Sequence, residues 1–317
     1  MATVSRDPSD AIGTACLLAL DWGTSAVRAY WLAADGRTLT QRDAPLGVQK
    51  VRDGDFAGAL ASLCEGPGRD LPTIACGMIG SRQGWVEAPY RECPAGFDAI
   101  ASALTAVPGT RVLIVPGLLC RDAHGVPDVM RGEETKVAGT FEEPFSGRRV
   151  VLMPGTHSKW ALVGDDGVAT FATFMTGELY AVLREHSILG RLATDARDDA
   201  AFERGVRHSL RDGAALPHDL FSSRTLALTG ELAPDGVGDY LSGLLIGAEV
   251  AAGGAWLARE AHHGVPLTLL GEPALVERYA TALRIDGIHA TIGPSDAALR
   301  GLWRIARSAG LVSKAQP

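Results

Sequence analysis

Two short segments of this chain have the residue types and spacing to hold phosphate. The first, Asp21-Trp-Gly-Thr-Ser25, ends the apolar run Leu17-Leu-Ala-Leu20. The second, Pro154-Gly-Thr-His-Ser-Lys159, ends the run Val150-Val-Leu-Met153. Each is followed by another apolar run that stops at an Asp-Gly pair, Asp35-Gly36 or Asp166-Gly167. Asp-Gly between alternating strands is a strong hairpin signal. Gly23 and Gly155 are expected to supply backbone angles closed to other residues, so that a phosphate approaches the main chain. Thr24, Ser25, Thr156 and Ser158 offer hydroxyls and turn amides, and Arg28 and Lys159 add charge. Strand alternation lets only one of each neighbouring pair face a ligand. Neither segment has the Walker spacing. Two such turns, one per half, predict a duplicated molecule that grips one polyphosphate from two sides.

Asp21 closes its strand directly before the turn. A bare carboxylate would repel phosphate, so Asp21 is expected to hold Mg²⁺, which keeps several waters and one or two carboxylates. The second turn has Met153 at the matching place, so only one half needs the metal. Glu133 and Glu134 open a predicted helix, where carboxylates suit the dipole. One of them is expected to act as general base toward an attacking hydroxyl, Glu134 in preference to Glu133. Gly77-Met-Ile-Gly-Ser-Arg-Gln-Gly-Trp85 follows a buried strand, where α/β proteins place ligands. Its glycines, Arg82 and Trp85 suit the carboxylate of a polyol acid; Met78, Gly80 and Ser81 belong to the same candidate site. The alternative is a surface loop with Trp85 as a packing plug. Glu178 either binds a substrate hydroxyl or caps its helix. Gly271 and Glu272, between a buried strand and a helix, are the expected seat of a nucleotide base or ribose.

The elements that must position these residues repeat. Strands are predicted at 15–21, 25–33 and 37–42, a helix at 55–65 with Phe56, Leu60 and Leu63 on one face, and a strand at Thr73–Gly77. A helix at 97–107, a strand at 111–115 and a helix from Gly132 to about Phe141 follow. The pattern restarts with strands at 148–153, 158–164 and 168–175. Helices come next at 178–190, 199–211 and 237–260, then strand 266–271, helix 273–284 and strand 289–292. A last helix is expected to be capped by Ser295. Three strands followed by α/β, given twice, predict an α/β fold of mixed sheets flanked by helices. Residues 1–14 read as a loose tail, 15–143 as an N-terminal lobe with the sugar-acid site, and 144–317 as a C-terminal lobe. The lobes are expected to meet over a cleft, with the last helix at their interface.

Composition narrows the partners. The chain has 317 residues and a formal net charge of −7, which disfavours nucleic acid. Its five cysteines form no Cys-x-x-Cys pair, which suits free thiols in a reducing compartment. The histidines show no zinc spacing, and the adjacent His262 and His263 are expected at a helix end. No unbroken apolar run reaches the roughly 18–20 residues of a membrane span, and the first residues lack an apolar signal core. A cytoplasmic protein is the expectation; its oligomeric state is not legible, and a homodimer is compatible.

Together these segments resemble the 2-dehydro-3-deoxygalactonokinase family of the actin–hexokinase–Hsp70 superfamily. The resemblance runs from Ala19 to about Ala306. Its motifs are Asp21-Trp-Gly-Thr-Ser25, Gly77-Met-Ile-Gly80 with Gly84-Trp85, Ala88-Pro-Tyr90, Met130-Arg-Gly-Glu-Glu-Thr135, Met153-Pro-Gly-Thr-His157 with Lys159-Trp160, Met175-Thr-Gly-Glu-Leu179, and Phe221 with Leu241-Ser-Gly-Leu-Leu-Ile-Gly-Ala-Glu-Val250. The resemblance implies duplicated ribonuclease-H-like (actin-like ATPase) domains. Asp21–Ser25 would be the first phosphate loop and Pro154–Lys159, His157 included, the second. Gly271 and Glu272 would contact adenosine, and the helices from Gly132 and Ser295 would connect the lobes. The implied reaction is Mg²⁺- and ATP-dependent phosphorylation of the C6 hydroxyl of 2-dehydro-3-deoxy-D-galactonate. Related sugar kinases place Asp before Thr at the first connecting helix, where this chain has Glu134-Thr135. A kinase for another sugar acid or deoxy sugar, or a nucleotide-dependent sensor without turnover, are the alternative readings. Repressor-type relatives carry a helical DNA-binding domain ahead of a first strand that is predicted here by residue 15.

Overall fold

A computed structural model describes residues 13–64, 70–142, 146–211, 214–260 and 264–312. Most of the tail read at 1–14, the boundary at 143–144 and His262-His263 lie outside them. The chain divides into two compact units. Unit 1 takes the residues up to Ser146, Gly164–Thr170 and those from Asp296 onward; unit 2 takes Gly147–Val163 and Phe171–Ser295.

In chain order, the first part of unit 1 comprises β1 (Leu17–Trp22), β2 (Val27–Leu32), β3 (Thr38–Ala44), α1 (Phe56–Leu63), β4 (Thr73–Cys76), β5 (Arg91–Glu92), α2 (Phe97–Ala101), β6 (Thr105–Ala106), β7 (Val112–Ile114), β8 (Leu118–Arg121), β9 (Pro127–Met130) and α3 (Glu133–Thr140). Its main sheet has the order β3-β2-β1-β4-β7-β6. β1 runs antiparallel to β2 and parallel to β4, so it is central. That is why Leu17–Leu20 are buried without alternation. In β2, Arg28 is exposed and Tyr30 half-buried among buried Val27, Ala29, Trp31 and Leu32. Asp35-Gly36 turns β2 into β3 with Gly36 at φ 87°. The core gathers Leu18, Leu20, Trp22, Trp31, Phe56, Ile79 and Ile114.

The chain continues with β10 (Arg149–Met153), β11 (Ser158–Gly164), β12 (Gly167–Phe174), α4 (Thr176–His186), α5 (Asp199–Ser209), α6 (Leu216–Asp219), α7 (Ser222–Leu228), α8 (Pro234–Glu260), β13 (Leu267–Leu269), α9 (Pro273–Ile285), β14 (Ala290–Ile292) and α10 (Ala297–Ser308). The second sheet has the order β12-β11-β10-β13-β14. β10 is antiparallel to β11 and parallel to β13, which is parallel to β14. The order of the first sheet thus recurs, short edge strand β6 excepted. The unit 2 core contains Val150, Leu152, Trp160, Phe202, Val206, Ile246, Leu269 and Tyr279.

Four expectations need correction. The helix read at 97–107 stops at Ala101, and the chain enters β6, paired with β7. The last helix is preceded by Asp296, not capped by Ser295, and no side chain caps it. That helix belongs to unit 1, not to the later half of the chain. It packs on α3 backbone to backbone: a Cβ on Gly301 would stand 1.8 Å from the Thr135 carbonyl oxygen, and one on Gly139 1.9 Å from that of Ala297. Finally, α8 is long and apolar enough by length and composition to cross a membrane. Polar Asp239, Ser242 and Glu249 break its apolar run, so a count of consecutive residues misses it. It is a core helix: Gly243 and Gly247 abut the Phe202 and Val206 carbonyls of α5, and Asp239 pairs with Arg278.

Candidate active site

The β1–β2 turn is closed by Gly23 N donating to the Ala26 carbonyl at 3.0 Å, which leaves Thr24 and Ser25 exposed at its tip. Behind the tip lies the segment after β3. Val48 N donates to the Gly23 carbonyl at 3.0 Å and Gln49 N to the Thr24 carbonyl at 3.2 Å. A Cβ on Gly47 would stand 2.3 Å from Ser25 N, so only glycine lets this brace close. Gly23 itself does not have positive φ, and its Cβ would meet only the Ala26 carbonyl at 3.6 Å. The expected unusual backbone angle is therefore absent.

The β10–β11 turn is braced in the same way. Its last paired residues are Met153 and Lys159. Glu178 N, in the first turn of α4 after β12, donates to the Thr156 carbonyl at 3.0 Å. A Cβ on Gly177 would stand 2.3 Å from the Gly155 carbonyl oxygen. Gly155, like Gly23, has ordinary φ and open space; its Cβ would meet only the His157 carbonyl at 3.9 Å. Thr156 and His157 are exposed. His157 Nε2 lies 2.5 Å from Glu178 Oε2, so the Glu178 carboxylate serves this turn. Ser158 and Lys159 are buried, in contrast to their expected ligand-facing role. Ser158 Oγ bonds Tyr279 Oη at 2.9 Å, and Lys159 Nζ donates to Thr173 Oγ1 at 2.6 Å. Both faces of β11 are covered, so neither member of the pair is left outward. Gly271 approaches this turn: its Cβ would stand 3.4 Å from the Pro154 carbonyl. The Glu272 carboxylate is used locally, capping Leu275 N at 3.1 Å.

Asp21 lies at the end of β1, beside the end of β4, and Glu133 and Glu134 lie at the start of α3. Asp21 pairs in register with Cys76, whose Sγ is 3.9 Å from Asp21 Oδ1. Its other oxygen is 3.9 Å from Arg28 Nη1, and the side chain is 20% exposed. Gly77 follows with φ 93°, and its Cβ would lie 3.7 Å from Asp21 Oδ1. Gly132, at φ 101°, approaches from the start of α3, its Cβ 3.1 Å from the Gly77 Cα. Glu134 then falls in the core, fully buried, accepting from Gly132 N at 2.6 Å and from Thr135 Oγ1 at 2.9 Å. Burial, and next the charge of Glu133, push its carboxyl up to about 7. Cys76 is raised well above an ordinary thiol by burial, then by Asp21 and Glu134. Glu133 is partly open, with one oxygen accepting from Arg131 N at 3.0 Å. Of the two, Glu134 turns inward, with its oxygens taken by Gly132 N and Thr135 Oγ1, and Glu133 is the more open.

In the loop after β4, Met78–Gly80 forms one 3-10 turn. Trp85 is half-buried and stacks on Phe56 at 6.1 Å and 17°. Met78 also packs on the core, and a Cβ on Gly80 would meet Ile114 at 2.7 Å. The Ser81 hydroxyl is buried without a hydrogen-bond partner among the described residues. Arg82 reaches solvent, 87% exposed, with Nε 3.0 Å from Glu87. Gly47, Gly177, Cys76 and the buried Glu249 escaped the sequence reading. Gly177 had a signal inside the Met175–Leu179 motif and Glu249 inside the Leu241–Val250 motif.

Two mixed sheets of matching order, each with a braced turn after its first strand, define the actin-like ATPase fold. Within that fold the chain belongs to the 2-keto-3-deoxy-galactonokinase family, whose model matches residues 21–305. A 2-dehydro-3-deoxygalactonokinase of Escherichia coli is 36% identical over 93% of this chain and 99% of that protein. A Rhizobium meliloti protein provisionally given the same name is 39% identical over 92% of this chain and 96% of its own length. The crystal structure of a Sinorhizobium meliloti protein, also provisionally so named, superposes with a TM-score of 0.82 at 37% identity, covering 92% of this chain and 98% of that one. The ADPNP-bound activator of 2-hydroxyisocaproyl-CoA dehydratase from Clostridium difficile shares the fold, with a TM-score of 0.50 at 11% identity over 93% and 96% of the two chains.

Proposed function

We propose that the chain transfers the γ-phosphoryl group of ATP to the C6 hydroxyl of 2-dehydro-3-deoxy-D-galactonate, a step of galactonate breakdown. The observation that carries this reading is the pair of turns. Gly23 and Gly155 are glycines that the fold itself does not require, at exposed tips held rigid from behind. A ligand that needs the space of a Cβ explains both. Each turn presents hydroxyls and amides to phosphate oxygens, Thr24 and Ser25 in one, Thr156 and His157 in the other. Gly271, beside Pro154, is read as the adenosine contact.

Asp21 fits Mg²⁺ as its one protein carboxylate, because this ion takes most ligands from water and phosphate. No group of three or more acidic, His or Cys side chains suited to a metal occurs among the described residues. Bound there, Mg²⁺ would neutralise phosphate charge. Asp21 would orient it, with Arg28 limiting the local negative charge. Glu133 is read as the base that accepts the C6 hydroxyl proton, and Glu134 as the residue fixing the start of α3. Arg82 is read as the partner of the substrate carboxylate, exchanging Glu87 for it. The five cysteines are free, in keeping with a cytoplasmic enzyme.

Phosphoryl transfer draws mainly on positioning and charge stabilisation. Orientation supplies roughly 7–11 kcal/mol of barrier reduction, against roughly 10²–10⁴-fold from a general base. The turns and the metal therefore outweigh Glu133. A coupled ADP-release assay with a panel of sugar acids and deoxy sugars tests the function. Turnover is expected with 2-dehydro-3-deoxy-D-galactonate above its epimers. Nucleotide binding without turnover of any member would instead mark a sensor.

A further inference from the structure

Unit 2 buries a carboxylate that the reaction does not use. Glu249, on α8, is 3% exposed. Its Oε1 accepts from Trp160 Nε1 at 2.8 Å and its Oε2 from Tyr279 Oη at 2.5 Å. The Ser158 hydroxyl bonds Tyr279 at 2.9 Å, and the hydroxyls of Thr176 and Ser158 also act on the Glu249 carboxylate. Burial raises its pKa, and these hydrogen bonds oppose the rise.

The partners are not scattered. Ser158 and Trp160 are the first and third residues of β11, which leaves the turn at 155–157. Thr176 is the first residue of α4, whose Gly177 and Glu178 close on the carbonyls of Gly155 and Thr156. The Glu249 carboxylate therefore joins the strand that leaves the turn to α9, and α4, which braces the turn, packs on the same α8 that carries Glu249. A buried charge is a poor way to gain stability, since apolar replacements are often as stable or more so. A satisfied buried network does fix one arrangement of the groups it joins.

We propose that Glu249 is a positioning residue for nucleotide: it holds β11 and α4 at the one spacing that lets the 155–157 tip receive phosphate. This rests on the proposed reading of that turn as a phosphate site. The test compares Glu249→Leu, Glu249→Gln and Tyr279→Phe with Thr156→Ala, which alters the tip itself. Binding of a non-hydrolysable ATP analogue, KM for both substrates and melting temperature are measured. Loss of one or two charge-assisted hydrogen bonds should weaken nucleotide binding about tenfold or more in Glu249→Leu. Glu249→Gln and Tyr279→Phe should lose less, and the sugar-acid KM should stay within about twofold in all three. If Glu249→Leu does not fold, the other two variants carry the test alone. Wild-type nucleotide affinity in the Glu249 and Tyr279 variants, beside a loss in Thr156→Ala, overturns the proposal and leaves the phosphate reading intact. Equal weakening of both substrates also overturns it, since a general structural role predicts that. No loss in any variant, Thr156→Ala included, overturns the phosphate reading itself.

Discussion

Gly77 and Gly132 lie back to back, both with positive φ, and a Cβ on Gly132 would stand 3.1 Å from the Cα of Gly77. Their contact joins the end of β4 to the start of α3. It thereby sets the position of Glu133 relative to Asp21, which pairs with Cys76 one residue before Gly77. Gly132→Ala forces a side chain into a left-handed conformation at a close contact. It should cost about 1–3 kcal/mol of stability and lower kcat by tenfold or more. Urea unfolding and steady-state kinetics check both, and an unchanged kcat would detach this contact from the chemistry.

Glu134 predicts a pH dependence of stability. Its carboxyl titrates at about 7 in the folded chain, against 4.5 for an ordinary glutamate. Between those values the native state holds a proton that the unfolded state has released. Stability therefore falls as pH rises through this window, by a total on the order of 3 kcal/mol. Glu134→Gln has no proton to lose. Its unfolding free energy should change less between pH 5 and pH 8 than that of the wild type. Equal slopes in urea titrations at several pH values would contradict the burial argument.

The same carboxylate pair predicts a split in kinetics. Glu133→Gln should lower kcat by roughly 10²–10⁴-fold with little change in either KM, as removal of a general base does. Glu134→Gln should lower it much less. The reverse order in single-turnover measurements would return the base role to Glu134.

Gly47 and Gly177 brace the two turns from behind. Alanine at either meets backbone at 2.3 Å, which must displace the tip. Each substitution should raise the KM for ATP several-fold or more and leave that for the sugar acid nearly unchanged. Kinetics with each substrate varied in turn would show it, and equal effects on both substrates would argue against two dedicated turns.

The repeat that organises the molecule was legible because each copy has an unbroken apolar strand, a Gly-Thr turn and an Asp-Gly turn. Strands β10, β11 and β12 fall within a residue of their expected places. The direction of side chains was not legible. Alternation places one of Ser158 and Lys159 outward, but β11 is covered on both faces. Glu133 and Glu134 could not be separated by spacing, because an inward turn of one depends on the donors Gly132 N and Thr135 Oγ1. The small sheet of β5, β8 and β9 has strands of two to four residues, too short to show a period. The attachment of α10 to unit 1 depends on Gly139 and Gly301 meeting, 162 positions apart in the chain by their numbers.

The central claim is that both glycine turns take the phosphates of a nucleotide. Hydrogen exchange at single-residue resolution, with and without a Mg²⁺-loaded non-hydrolysable ATP analogue, tests it most directly. Slowed exchange is expected at the amides of residues 23–25 and of 155–157 together. Protection confined to one of the two, or to neither, while the analogue is bound, would contradict the account.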